Sequence, residues 1–93
     1  MKHIILFENF NNILTKQYLE ENYPITKDEY FEKEFNRQRF FINIDDKNYF
    51  FSKDEGFNST KMALLNVLSS KGMIKDERID VPIIKGYLRS VLL

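Results

Sequence analysis

Apolar and polar positions recur along this chain with helical and strand periods in turn, and each period marks an element. Residues 3–7 (His-Ile-Ile-Leu-Phe) are a continuous β-friendly run, either a strand or a buried lead-in. Over residues 12–22 the pattern predicts a helix. Ile13, Leu14 and Tyr18 share one face of it, and Pro24 stops it. Thr26-Lys27-Asp28-Glu29 has the Thr-x-x-Glu form of a capping box, in which a hydroxyl and a carboxylate satisfy exposed amides at a helix start. It predicts a second helix to about Asn36. Asp28 and Glu29 fall in its first turn, where the helix dipole favours them. Phe31 and Phe35 form its apolar face, with Tyr30 beside them.

The clearest β signal spans residues 38–53. Gln38–Ile44 and Asn48–Lys53 are rich in Phe, Ile and Tyr, and Asp45-Asp46-Lys47-Asn48 supplies turn residues. A hairpin with Ile44 opposite Tyr49 is expected. Side chains alternate across a strand, so parity sorts them. Phe40, Ile42, Ile44, Tyr49 and Phe51 share one face, nearly all apolar and therefore the core face. Arg39, Phe41, Asn43, Asp45, Asn48, Phe50 and Ser52 share the other, which is polar apart from two large aromatics.

After a turn at Gly56, Asn58 or Ser59 is expected to cap a helix from about Thr60 to Ser70. Its residues Met62, Leu64, Leu65, Val67 and Leu68 make it the central core helix. Gly72 stands where a helix-ending glycine belongs. A connection over 73–79 follows, with Met73-Ile74 a candidate short strand. Asp80 is expected to cap a last helix with Pro82 in its first turn. Ile83, Ile84, Tyr87, Leu88, Val91 and Leu92 then form an amphipathic stripe. The fold class expected is α+β, one small domain over residues 1–93. It comprises two N-terminal helices, an antiparallel β-hairpin joined by residues 3–7 if these form a strand, and two C-terminal helices on the hairpin's core face.

At 93 residues, with 43% hydrophobic and 30% charged positions, the chain reads as one globular domain with a small core. The sequence has no cysteine and one histidine, His3, which removes disulfides, a thiol nucleophile, cysteine-ligated metal and any imidazole relay. No cofactor and no metal are expected. The apolar run at the N-terminus is too short for a secretory signal, and no stretch reaches the length of a membrane span, so cytoplasmic placement is expected. Net charge is +0 but unevenly spread: residues 1–36 hold seven carboxylates against four lysines, leaving −3 there and +3 beyond. Such a dipole can orient a small protein on a charged partner.

Few residues suggest chemistry. Asp45-Asp46-Lys47-Asn48 lacks the central glycine and distal glutamate of a calcium loop and reads as a turn. Asp76, Glu77 and Asp80 are interrupted by Arg78 and read as a solvated loop. There is no phosphate-binding loop, dinucleotide fingerprint or nucleophile elbow, so a non-enzymatic role is expected. Lys85 and Arg89 place a basic spot on the last helix, but the gap from Lys71 to Asp80 is too long for a helix-turn-helix.

Two resemblances bear on function. Arg37-Gln38-Arg39-Phe40-Phe41-Ile42-Asn43-Ile44 resembles the basic and aromatic strand of the RNA-recognition motif, but without its glycines and with a different element order. Met1-Lys2-His3-Ile4-Ile5-Leu6-Phe7-Glu8-Asn9-Phe10 resembles the starts of small phage and prophage accessory proteins of AT-rich bacteria. Abundant Ile, Lys, Asn and Phe, with one alanine, Ala63, fit an AT-rich source. That resemblance implies a protein that acts by binding. The leading expectation is an inhibitor of a host defence complex, in the manner of anti-CRISPR proteins that bind a CRISPR nuclease–guide RNA complex. A self-associating virion or assembly protein and a small RNA- or DNA-binding regulator are the alternatives. The partner-binding residues expected are Arg39, Phe41, Asn43 and Phe50, because aromatics beside an arginine are the usual composition of an interface anchor.

Overall fold

The computed structural model describes residues 13–92. In chain order these form helix α1 (Lys16–Asn22), strand β1 (Thr26–Lys27), helix α2 (Glu29–Phe35), strands β2 (Phe40–Ile44) and β3 (Lys47–Phe51), and helices α3 (Phe57–Ser70) and α4 (Glu77–Arg89). The strands make one antiparallel sheet in the order β1-β2-β3. The architecture is the expected α+β class, with the hairpin preceded by two short helices and followed by two longer ones. The candidate strand at residues 3–7 lies outside the described residues.

The third strand observed is β1, where the capping-box pattern predicts a helix start. Asp28 is the N-cap instead: its carboxylate accepts the Phe31 N–H at 3.0 Å. Aspartate caps at least as well as threonine, so the helix starts later. Thr26 and Lys27 are then free to extend and pair with Phe41 and Phe40. The Asp28 N–H donates to the Arg39 carbonyl at 2.8 Å, closing the neck of the segment that carries α2.

The hairpin turns on two residues, with Ile44 opposite Lys47 and Ile42 opposite Tyr49, correcting the Ile44–Tyr49 pairing. Asp45 and Asp46 adopt left-handed φ values of 53° and 66°, the conformation of a tight type I′ turn that Asp tolerates. The correction shifts the partner by two residues, so the faces are unchanged. Phe40, Ile42, Ile44 and Phe51 are buried and Tyr49 is half-buried. They meet Leu64 and Leu68 of α3, and α3 in turn meets Ile84, Tyr87 and Leu88 of α4. The cross-packing of one apolar sheet face, one central helix and the stripe of α4 is the core.

The other three helix starts also differ from expectation, each because another residue caps. Thr15 caps α1 by accepting the Tyr18 N–H at 3.0 Å, so Ile13 precedes the helix and is exposed while Leu19 fills the core. Gly56, at φ 79°, precedes α3 and accepts the Thr60 N–H at 3.0 Å, so the helix begins before Asn58 and Ser59. Asp76 caps α4, and Asp80 instead reaches back to accept the Lys75 and Asp76 N–H groups at 2.7 and 3.1 Å. Pro82 therefore lies one turn deeper in the helix than expected. Gly72, at φ 74°, ends α3 as expected, with the Met73 N–H on the Leu68 carbonyl at 2.9 Å. Met73-Ile74 is not a strand.

Candidate interaction face

The sheet has a core face and an outer face, and the outer face carries the four residues singled out from the sequence. Phe41 and Phe50 stand directly opposite on β2 and β3, their ring centroids 5.3 Å apart. Alternation from the turn makes theirs a pair without direct backbone bonds, where side chains approach most closely. Phe50 is 39% exposed and Phe41 is half-buried. Asn43 and Asn48 are the next opposed pair, and the Asn43 amide donates to the Asn48 side-chain oxygen at 3.0 Å.

Arg39 sits at the end of β2 between two rings. Its guanidinium lies 4.3 Å from the centroid of Phe50 and 4.0 Å from that of Phe31 in α2. Its Nε and Nη2 both donate to one carboxylate oxygen of Asp28, at 3.1 and 2.8 Å. Those bonds, together with the Phe31 N–H, hold the Asp28 carboxyl below its usual pKa. Phe31 stacks on Phe35 at 4.7 Å, and Phe35 and Tyr30 are largely exposed.

The polar side chains of this face thus satisfy one another: Arg39 with Asp28, Asn43 with Asn48. What remains for a partner is ring surface and the other amide groups of the exposed Asn43–Asn48 pair. The contribution of α2 was not legible in the sequence. The Phe31–Phe35 spacing and the Asp28 cap are visible there, but not that Arg39 would bring them onto the sheet.

Other candidate chemistry disperses. Asp45 and Asp46 make the hairpin turn, and Asp76 and Asp80 cap α4. Among the described residues no group of three or more His, Cys, Asp or Glu side chains could hold a metal ion. His3 lies outside them. Arg89 of the basic spot stacks over Phe57 at 5.5 Å. Among the described residues no helix is long and apolar enough to cross a membrane.

No protein-family model matches the chain, and no curated protein and no solved structure is significantly similar to it. Fold and face together define a small α+β domain with an aromatic, internally neutralised outer sheet face. No narrower class follows from the comparisons.

Proposed function

We propose that this protein is a non-enzymatic, protein-binding inhibitor, encoded by a phage or prophage and directed at a host defence complex such as a CRISPR nuclease with its guide RNA. It acts in the host cytoplasm, where such complexes are found. Origin and target rest on the N-terminal resemblance. The observation that supports protein binding is the Phe41–Phe50 pair, Phe50 exposed and Phe41 half-buried, with Arg39 beside it. Aromatic rings on a rigid sheet lose little freedom on docking and gain apolar burial, which is the composition of interface anchors.

Self-association through the hairpin edge is the second reading, because β3 is an edge strand. Lys47 opens that strand, and Gly56 packs against the Phe50 carbonyl. Both features work against edge pairing.

The test is affinity capture from the native host with the wild-type chain and with the Phe41→Ser, Phe50→Ser double variant. The core face is untouched, so the variant should keep its circular dichroism. It should lose the captured protein complex, since each such anchor commonly contributes about 2 kcal/mol or more, roughly thirtyfold in affinity. Full-strength capture by a folded variant overturns the role of this face. Capture of bare RNA overturns the protein-binding reading.

A further inference from the structure

Helix α2 is held differently from the others. It spans only Glu29–Phe35 and has no buried residue, whereas α1, α3 and α4 each bury at least one side chain completely. A helix this short is not stable by itself in water. It approaches no other helix closely, and among the described residues a cavity of about 240 Å³ lies beside it, lined by Phe31, Arg37 and Phe40 and by Ser52–Glu55 of the β3–α3 loop. Packing therefore does not wedge it in place.

Two devices hold it. The neck, where the Asp28 N–H meets the Arg39 carbonyl, fixes where the segment leaves the sheet. Beyond the neck the segment meets the sheet through the stack Phe31–Arg39–Phe50, with the guanidinium between the rings at 4.0 and 4.3 Å, and through the partly exposed ion pairs Arg39–Asp28 at 2.8 Å and Lys27–Glu32 at 3.0 Å. Contacts of these kinds at partly exposed sites each shift a two-state population by only about twofold to fivefold. That is enough to bias a position and too little to lock it. At its far end α2 stops on Asn36, a left-handed residue at φ 55°, where the chain reverses toward β2.

We propose that α2 is a flap, latched to the outer sheet face by Arg39, which opens without unfolding the core. Opening frees the Phe31 ring and one side of the Arg39 guanidinium and so widens the face beside Phe50. The use of this widening rests on the reading of that face as a docking surface; the motion does not, and it is measured without any partner.

The experiment is native-state hydrogen exchange on the full chain, comparing wild type, Arg39→Met and Asp28→Asn. Asparagine still caps the helix, so the second variant loosens the latch and spares the cap. Amides of residues 32–36 should exchange faster than those of α3 and α4 in the wild type. They should speed up a further roughly fivefold to thirtyfold in Arg39→Met and less in Asp28→Asn, with α3 and α4 unchanged. Protection of α2 equal to that of α3 in the wild type overturns the flap. So does unchanged α2 exchange in both variants, or loss of protection throughout the domain in both. A confirmed flap with full-strength binding by the Phe41→Ser, Phe50→Ser variant would overturn only the docking surface.

Discussion

Tyr87→Phe tests how α1 is attached to the rest of the domain. Tyr87 is buried in α4, and its hydroxyl lies 2.5 Å from the Tyr23 carbonyl oxygen and 3.2 Å from that of Leu19. Leu19 keeps another donor, the Tyr23 N–H at 2.8 Å, so removing the hydroxyl orphans one buried acceptor, the Tyr23 carbonyl. An unsatisfied buried acceptor costs roughly 1–3 kcal/mol, and the phenyl ring keeps the packing. In a domain of this size each kcal/mol lowers Tm by roughly 4–8 °C. Thermal unfolding followed by circular dichroism reads it directly. Burial also pushes the Tyr87 hydroxyl up to about 12, with Glu20 adding to the shift. The folded chain then holds this proton at a pH where the unfolded chain, with an ordinary value near 10, releases it. Tyr87 therefore contributes stability below pH ~10 that is lost as pH rises from there through about 12. The wild type should weaken over that window, and Tyr87→Phe should weaken less. A Tm within about 2 °C of wild type and an identical alkaline profile would refute the role of the Tyr87 hydroxyl in holding α1.

Gly56→Ala should destabilise by roughly 3 kcal/mol or more, because the residue sits at φ 79° and a Cβ would collide with the Phe50 carbonyl oxygen; chemical denaturation measures it, and a loss under about 1 kcal/mol would mean the β3–α3 turn rearranges freely. Leu88→Ala should cost roughly 2–5 kcal/mol, since Leu88 is fully buried between α4 and the core. A near-wild-type melting curve would make α4 peripheral.

Periodicity was a good guide where a long apolar pattern met a single packing surface. The stripe of α4 and the two faces of the hairpin were legible because burial depends on parity, which survived the shift of register by two residues. Helix starts were not, because several candidate caps compete within a few residues. Thr26 against Asp28, and Asp80 against Asp76, are settled by what the rest of the chain needs, strand pairing in one case and amide satisfaction in the other. A strand as short as β1 carries no periodicity of its own.

The candidate face was legible in composition but not in electrostatics, and the difference decides which partner it suits. Read along the chain, Arg39 beside Phe41 has the look of a nucleic-acid-binding strand. In the fold, both bonds from Arg39 go to Asp28, so the pair adds no net charge to the face. A phosphate reaching that guanidinium would compete with a carboxylate already held at 2.8 Å. A full phosphate contact to a single strand contributes a log–log salt slope of about 0.7 through counterion release, and a cation already neutralised releases far less. Labelled single-stranded RNA titrated at several salt concentrations should therefore bind weakly at physiological salt, and Arg39→Met should leave the salt slope nearly unchanged. Sub-micromolar affinity that is lost when Arg39 and Phe41 are replaced, with a slope lowered by a whole contact, would show that the carboxylate yields to phosphate. The outer face would then be a nucleic-acid platform, not a protein-docking surface.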